Sequence, residues 1–334
     1  MNLAPLLDLG FERTDNPSVA TEARRVDRRT VLVTSSRPAM GTLVAVSALG
    51  RTEGHIEEVI GRAFEEMDRL IGIFSRFDAT SPLRALNDAG RLVGPPPELA
   101  YVVARALRYH AITGGAFDLS VEPLVNLFRH RLRGPDPRVP SDGEIADALA
   151  LVGAQHVTVS ERAIHLDRRG MGITLDGIAK GYIVDAIAGA LARGSVRGFL
   201  INAGGDIRTS GTREGGRPWT VGVWDPAASG AFPDIVHVTD AAVATSGGYE
   251  IAFDPDRRFH HIVDGTTGRS PNHHASASVI APTAMAADAL ATALFVLEAT
   301  RGLSLVESLA GCECLMLDHD GRQLRSSGWR SAEE

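Results

Sequence analysis

The sequence predicts an α+β fold in which mixed or antiparallel sheets are flanked by helices. Segments with helical periodicity dominate the first half of the chain, and many short strand-like segments follow from about residue 197. A doubly wound parallel sheet would instead alternate strands and helices along its whole length. With 334 residues, of which 44% are hydrophobic, the chain is long enough to bury a large core.

The first half begins with a strand and continues with amphipathic helices. Ile56, Ile60 and Phe64 recur at helical spacing in the first of them, and Ser141 stands where the third would need an N-cap. The predicted elements are a strand at 40–48, helices at 55–77, 97–113 and 141–153, and a hairpin around Glu161.

The second half is richer in strands, which are separated by glycine-containing turns. A loop leads into a helix of about residues 180–193, and a strongly apolar helix covers residues 283–298. A short helix and two strands close the chain. The other strands are predicted near 197–202, 206–210, 219–224, 235–239, 242–246, 259–263 and 276–281.

Two regions bear on domain organisation and location. Residues 1–34 are expected to form a poorly ordered or loosely docked arm, because their apolar stretches are short and interrupted by charge. Residues 35–334 are expected to form a single unit or two intertwined subdomains, with a surface loop near 133–144. The N-terminus lacks an export pattern and a cysteine that could receive a lipid, so the expected location is the cytoplasm.

Composition argues against several classes of protein. The net charge is −7 and the basic residues are scattered, which is atypical of a nucleic-acid surface or a polybasic membrane patch. No apolar run reaches the roughly 18 residues of a membrane-spanning helix. Cys312 and Cys314 lack a partner pair, so they are interpreted as small core residues and not as a metal or redox site.

Two features of the sequence, a lone lysine and a carboxylate–hydroxyl pair, could carry chemistry. Lys180 is the only lysine of the chain, although 34 positions are basic. Asp288 and Thr292 lie four residues apart on an otherwise apolar helix, so their side chains share one face. A carboxylate with a hydroxyl suits a hard cation such as Mg²⁺, and the alternative is a structural hydrogen bond of Asp288.

A histidine pair and a glycine pair complete the candidates. Adjacent residues of a strand face opposite sides, so only one of His260 and His261 is expected to face a site. His261 followed by Asp264 is typical of an oriented general base, whereas an exposed histidine pair is the alternative. Gly204 and Gly205 form a turn between strands, where backbone N–H groups can approach a ligand closely.

Eight segments in order resemble the FAD:protein FMN transferase family, also called the ApbE family. They are "AMGT" (39–42), "FSRFDATSPLRALN" (74–87), "GAFDLSVEPLVNLF" (115–128), "LDGIAKGYIVD" (175–185), "LINAGGDI" (200–207), "ATSGGYE" (244–250), "HHIVDGTTGRSP" (260–271) and "SVIAPTAMAADALATAL" (278–294). The resemblance covers nearly all of the chain after residue 38 and implies an ApbE-like, T-fold-related architecture. It also implies Mg²⁺-dependent transfer of FMN from FAD, the substrate, to a Ser or Thr hydroxyl in a D-x-x-[ST]-G-A-[ST] segment of a target flavoprotein, with release of AMP.

The resemblance also implies roles for individual residues. The side chains of Asp288 and Thr292 and the carbonyl of Ala179 match ligands of Mg²⁺, and His261 matches the residue that activates the acceptor hydroxyl. Lys180 is expected to contact the diphosphate or a carboxylate such as Asp185. The remaining expected flavin and nucleotide contacts are Met40, Phe77, Asp118, Gly204, Gly205, Thr245, Ser246 and Gly247.

Two departures from the family pattern stand out. Many relatives read D-L-G-G-I-A-K-G, whereas Thr174 occupies the position of that aspartate here and Asp176 lies two residues later. Gly265 replaces a common proline, which should only loosen a turn. Two other functions remain open: an FAD diphosphatase that yields FMN and AMP, and a non-catalytic flavin-binding protein.

Overall fold

The computed structural model describes residues 19–224 and 232–332. Their largest element is a nine-stranded sheet, in which every neighbouring pair is antiparallel. Its strands, in spatial order, are β1 (Ala20–Asp27), β2 (Thr30–Ala39), β3 (Thr42–Gly50), β7 (Gly198–Ala203), β8 (Asp206–Ser210), β11 (Ala242–Ser246), β12 (Ser276–Ala281), β13 (Glu313–Leu317) and β14 (Gln323–Arg325).

Two small antiparallel sheets accompany the large one. One is a three-stranded sheet and the other a two-stranded sheet. Their strands are β4 (Arg91–Val93), β6 (Ala163–Leu166) and β5 (Val157–Val159), and β10 (Ile235–Val238) with β9 (Trp219–Gly222).

The described residues form eight α-helices, of which four pack against the large sheet. The eight helices are α1 (Glu53–Phe74), α2 (Pro82–Ala89), α3 (Pro97–Ile112), α4 (Glu122–Arg133), α5 (Asp142–Leu149), α6 (Ala179–Arg193), α7 (Ala284–Val296) and α8 (Ala299–Glu307). Helix α7 packs against α6, β11 and β12, and nearly all of its residues are buried, which explains why its sequence is apolar on every side. The predicted α+β class, with antiparallel sheets flanked by helices, is therefore confirmed.

The region expected to be an N-terminal arm differs from that expectation in its described part. Residues 20–27 form β1 and residues 30–34 begin β2, and β2 pairs along its length with β3. The side chains of β1 are almost all exposed, so this strand leaves no apolar alternation in the sequence, and its backbone pairing with β2 holds it on the sheet. Residues 1–18 of the expected arm lie outside the described residues.

The predicted strand at 259–263 is absent. A single bridge joins His260 to Ala252, and the backbone N–H of His260 donates instead to the hydroxyl of Ser270, 3.0 Å away. Local hydrogen bonds to the following loop thus replace a strand ladder. Conversely, helices α2 and α4 and strand β4 were not predicted as elements.

The other predicted elements are present with small shifts of their ends. Ser141 caps α5 in a capping box with Glu144, as the sequence indicated, but the helix ends at Leu149. Residues 134–141 connect α4 to α5, where the surface loop was expected. No helix within the described residues is long and apolar enough to cross a membrane.

Candidate active site

The hairpin between β2 and β3 brings Met40 to the site in a strained conformation. Met40 and Gly41 have φ values of 52° and 70°, and they form a two-residue turn between the paired residues Ala39 and Thr42. Such turns favour asparagine and glycine, since the left-handed conformation costs other residues about 1–2 kcal/mol. The Met40 side chain is buried and lines the candidate site, so this cost is incurred where a ligand would bind.

The turn between β7 and β8 contains two glycines in conformations with positive φ. Gly204 has φ of 65°, and a Cβ there would lie 2.4 Å from Oγ1 of Thr42. Gly205 has φ of 104°, and its N–H donates to Oδ1 of Asn202. Only glycine lets this turn sit against the β2–β3 hairpin, and Gly204 lines the candidate site.

Helices α6 and α7 approach closely enough for their backbones to touch. A Cβ on Gly181 would lie 2.4 Å from the carbonyl oxygen of Ala284. This approach lets the backbone N–H of Gly181 donate to Oδ2 of Asp288, 2.9 Å away. The close packing therefore places Lys180, at the start of α6, beside the carboxylate of α7.

Two adjoining cavities open between these elements. They enclose about 900 and 660 Å³, counting the part open to solvent, and Asp176, Lys180, Glu250 and His261 line both. We call the first the arginine-lined cavity; its other walls include Met40, Gly41, Thr42, Arg76, Phe77, Arg129, Arg133, Gly204, Ile251 and Phe253. We call the second the acid-lined cavity; its other walls include Asp118, Thr174, Gly177, Asp206, Thr245, Ser246, Asp288 and Thr292.

Lys180 lies among three carboxylates. Its Nζ is 3.5 Å from Oδ2 of Asp206, and Glu250 and Asp288 also act on it electrostatically. Burial lowers the pKa of Lys180, but the three carboxylates more than offset that effect, so its pKa lies above the ordinary value and the ammonium stays charged.

The carboxylates respond in the opposite direction. Burial raises the pKa of Asp206 and raises that of Asp288 well above its ordinary value, and Lys180 offsets these shifts in part. Burial together with Asp206 raises the pKa of Glu250 to about 7, against the lowering effect of Lys180. One ammonium thus faces three carboxylates, which leaves the cluster short of positive charge.

His260 and His261 point to different parts of the molecule. His261 lines both cavities, whereas His260 is buried against Phe295 and lies 3.1 Å, through Nε2, from the carbonyl oxygen of Pro271. Burial and the neighbouring His260 lower the pKa of His261 to about 4, and Asp176 acts weakly in the other direction. His261 is therefore neutral at neutral pH.

Two carboxylates lie away from the positions expected for them. Asp264 was expected to orient His261, but Oδ1 accepts from the N–H of Thr266 and Oδ2 from the hydroxyl of Thr267, so it stabilises its own turn. Asp185 was expected beside Lys180, but its carboxylate accepts from the first two N–H groups of α7, Ala284 and Met285, each 2.9 Å away. The helix dipole favours a carboxylate there, and Asp185 lines neither cavity.

The departures at 174 and 176 form a local network. Nε of Arg76 donates to Oδ2 of Asp176 across 3.0 Å, and the N–H of Asp176 donates to Oγ1 of Thr174. The guanidinium of Arg76 lies 4.4 Å from the centre of the Phe77 ring, and that of Arg129 lies 4.6 Å from it. Phe77 therefore lines the cavity with two guanidinium groups against its ring.

The remaining predicted contacts lie at the acid-lined cavity or next to it. Oγ of Ser246 lies 3.4 Å from Oγ1 of Thr292, and Oγ1 of Thr245 lies 2.8 Å from Ser278. Oδ1 of Asp118 accepts from the N–H of Ser120, 2.7 Å away, which caps a short turn of helix. Gly247 and Ala179 do not line either cavity within the described residues, and Ala179 is buried at the start of α6.

The family model of the ApbE family matches residues 40–316, a span that includes both cavities. The chain belongs to the ApbE family.

Individual ApbE relatives agree with the family match. The protein named FAD:protein FMN transferase from Vibrio cholerae is 36% identical over 213 residues, which cover 62% of this chain and 63% of that protein. The one of the same name from Haemophilus influenzae is 30% identical over 87% of this chain and 88% of its own length. The crystal structure of the ApbE protein from Thermotoga maritima superposes with a TM-score of 0.78 and 30% identity, covering 93% of this chain and 97% of that one.

Several residues of this ApbE site were not proposed from the sequence, among them four charged residues besides Arg76. Asp206 directly follows Gly204 and Gly205 in the segment "LINAGGDI", Glu250 ends the segment "ATSGGYE", and both act electrostatically on Lys180. Arg129 and Arg133 lie on α4, which was not predicted as a helix, so their common face was not apparent. The single lysine indicated that a carboxylate partner exists, but it did not indicate which carboxylate that partner is.

Proposed function

We propose that this protein transfers FMN from FAD to a Ser or Thr hydroxyl of a target flavoprotein that carries a D-x-x-[ST]-G-A-[ST] segment, with release of AMP and dependence on Mg²⁺. Membership of a family whose relatives are named FAD:protein FMN transferase supports the activity. The observation that carries the proposal is the shared wall of the two cavities. There, neutral His261 and charged Lys180 line the same space.

His261 fits the role of a general base. A Ser or Thr hydroxyl has almost no nucleophilicity at neutral pH, so a neighbouring base must take its proton as the bond to phosphorus forms. A neutral imidazole with one nitrogen towards the cavity can accept that proton, and burial keeps it unprotonated. Nδ1 is buried without a hydrogen-bond partner among the described residues, which leaves Nε2 for the acceptor.

Lys180 fits the role of a fixed positive charge at the reacting phosphates. The FMN half of FAD is displaced from AMP, so negative charge grows on the bridging oxygen as that bond breaks. An ammonium that is already desolvated and held by Asp206 stabilises this charge without reorganisation. Because the charge is larger in the transition state than in bound FAD, the effect appears in the rate.

The residues present also fit Mg²⁺. Asp288 and Thr292 offer a buried carboxylate and a hydroxyl on one wall, and the excess of carboxylates around Lys180 would be relieved by a cation. Within the described residues no three His, Cys, Asp or Glu side chains form a metal cluster, so hydroxyl, carbonyl, water or phosphate oxygens would complete the coordination. The carbonyl of Ala179 remains the proposed backbone ligand. When bound, Mg²⁺ supplies electrostatic stabilisation of phosphoryl oxygens.

The decisive experiment offers the purified protein FAD, Mg²⁺ and a flavoprotein that carries the target segment. Transfer predicts a flavoprotein that stays fluorescent after denaturation and a matching amount of AMP. Release of FMN and AMP without labelled flavoprotein would identify a diphosphatase instead. Binding of FAD without either product would identify a non-catalytic flavin-binding protein. The cytoplasm stays the predicted location, and cell fractionation tests it separately.

A further inference from the structure

The first turn of α7 is capped by a side chain of another helix. The backbone N–H groups of Ala284 and Met285, the first two of α7, donate to Oδ1 and Oδ2 of Asp185 on α6, each across 2.9 Å. Thr283, the N-cap residue of α7, accepts through its side chain from the N–H of Ala286, 3.2 Å away. A helix leaves its first N–H groups without partners of its own, and α6 supplies the acceptor for two of them. The start of α7 is thus tied to one position on α6.

A second link between the two helices lies one turn earlier on α6. Gly181 precedes Asp185 by four residues, so both face α7. The N–H of Gly181 donates to Oδ2 of Asp288 across 2.9 Å, and a Cβ on Gly181 would meet the carbonyl oxygen of Ala284. Asp288 in turn follows Ala284 by four residues, so one turn of each helix separates the two links. Asp185 therefore fixes where Asp288 stands along α6.

Strand β8 adds two charged residues to this arrangement. Asp206 and Arg208 are two residues apart in β8, so their side chains emerge on the same face of the sheet. Asp206 pairs with Lys180, and Nε of Arg208 lies 3.9 Å from Oδ1 of Asp185. Nη1 of Arg208 also donates to the carbonyl oxygen of Pro282, just before α7. An anion and a cation on β8 thus face a cation and an anion on α6, which favours one register of the helix on the strand.

Asp185 and Arg208 stand behind the site and not in its walls. Neither residue lines the arginine-lined or the acid-lined cavity. Burial raises the pKa of Asp185, and the two N–H groups of α7 together with Arg208 act in the opposite direction. The contacts of this carboxylate are therefore with protein groups, and its effect on a reaction in the cavities acts through α6 and α7.

We propose that Asp185 and Arg208 are positioning residues for the cation site, which fix the start of α7 so that Asp288 and Thr292 stand at a set distance from the start of α6. The inference rests on the proposed Mg²⁺ site and adds two residues that do not line it. A carboxylate with both oxygens occupied tolerates little movement of α7, because hydrogen bonds weaken steeply as their geometry departs from linear. Mg²⁺ requires a near-ideal octahedral arrangement, so a small displacement of α7 costs affinity for the ion.

The test measures metal binding by the full chain. Asp185→Asn keeps the shape of the side chain but offers one acceptor oxygen to two N–H groups, and Arg208→Gln removes the neighbouring positive charge. With FAD present and no acceptor protein, Mn²⁺ is titrated as a paramagnetic substitute for Mg²⁺, and the free ion is counted by electron paramagnetic resonance. Each variant should raise the Kd of Mn²⁺ at least about fivefold, which is below the roughly 10–100-fold effect of partners that touch a metal ligand directly.

The second measurement is FMN transfer to a flavoprotein that carries the target segment. The Mg²⁺ concentration that half-saturates transfer should rise by a factor similar to that of the Mn²⁺ constant. Excess Mg²⁺ should restore most of the parental rate, because the proposed metal ligands are intact in both variants. The matched control is Ser141→Ala, which removes the N-cap of α5, a helix that contributes no residue to either cavity. It should lower the melting temperature and leave both metal constants unchanged.

The outcomes separate positioning from stability. A lower melting temperature with unchanged metal constants in Asp185→Asn and Arg208→Gln would overturn the inference and leave Asp185 a helix cap alone. A loss of transfer that excess Mg²⁺ does not restore would overturn it as well. If the parent protein binds no Mn²⁺ and transfers no FMN, the proposed function fails and the inference fails with it. If the parent binds the metal and the variants match it, this inference alone fails.

Discussion

Replacing Lys180 with arginine tests whether this site needs an ammonium or only a positive charge. Lys180 is the single lysine of the chain, and its Nζ lies 3.5 Å from Oδ2 of Asp206. The guanidinium of arginine keeps the charge but spreads it over a wider, planar group. We expect Lys180→Arg to fold and to bind FAD, yet to transfer FMN at least about tenfold more slowly.

The expected loss of transfer rate in Lys180→Arg follows from how little the residues around Lys180 can move. A Cβ on Gly177 would lie 2.8 Å from Oγ1 of Thr292, and one on Gly181 would lie 2.4 Å from the carbonyl oxygen of Ala284, so the start of α6 cannot move to make room. Shifting the centre of charge from 3.5 Å to about 5 Å from a carboxylate weakens the attraction from about 5 to about 3 kcal/mol at an effective dielectric constant of about 20. A similar loss at the developing charge of the transition state gives the tenfold effect or more.

The assay is covalent flavinylation of a target-segment protein at saturating FAD and Mg²⁺, with the melting temperature as a control for folding. Lys180→Met is the companion variant, because it removes the charge and leaves the carboxylates of Asp206, Glu250 and Asp288 without their cation. It should lose more activity than Lys180→Arg. Parental activity in Lys180→Arg would refute the reasoning and show that charge alone is required.

Four further outcomes follow from the same site. Asp288→Asn should abolish Mg²⁺-dependent transfer without lowering the melting temperature in the absence of metal. The change removes a buried carboxylate whose pKa is raised by burial, but it keeps an oxygen that can accept from the N–H of Gly181. An unchanged rate and Mg²⁺ optimum would contradict the metal assignment. His261→Ala should lose about 10²–10⁴-fold in transfer and His260→Ala much less, measured as initial rates with FAD binding as the control; equal, mild losses would remove His261 as the base. The pKa of His261 in the folded protein is lowered to about 4, against an ordinary value of about 6.5. The contribution of neutral His261 to the free energy of unfolding is therefore complete above about pH 6.5 and is lost as the pH falls to about 4, by at most about 3 kcal/mol. Chemical denaturation should show this loss in the parent and not in His261→Ala. Gly181→Ala should lower the free energy of unfolding by about 1–3 kcal/mol, because its Cβ would meet the backbone of α7. Gly189→Ala on the same helix is the control and should be neutral or stabilising. Comparable melting temperatures of the two variants would contradict this packing argument.

The sequence determined the features that depend on neighbours along the chain. The helical spacing of Ile56, Ile60 and Phe64 placed α1, and Ser141 placed the start of α5, because both depend on contacts within a few residues. The sequence also showed that Lys180 is the only lysine and that Asp288 and Thr292 share one face of a helix. The structure places all three at the acid-lined cavity, where their chemical roles stay predictions.

The tertiary structure alone decided which charged groups meet. Asp264 follows His261 by three residues, yet its carboxylate is occupied by its own turn, and Asp185 instead caps a helix that begins about a hundred residues later in the sequence. Asp206 reaches Lys180 because the antiparallel sheet and the close approach of α6 to α7 bring distant segments together. Local spacing cannot specify such pairs, since the free energy that selects them comes from burial and from charges contributed by separate elements.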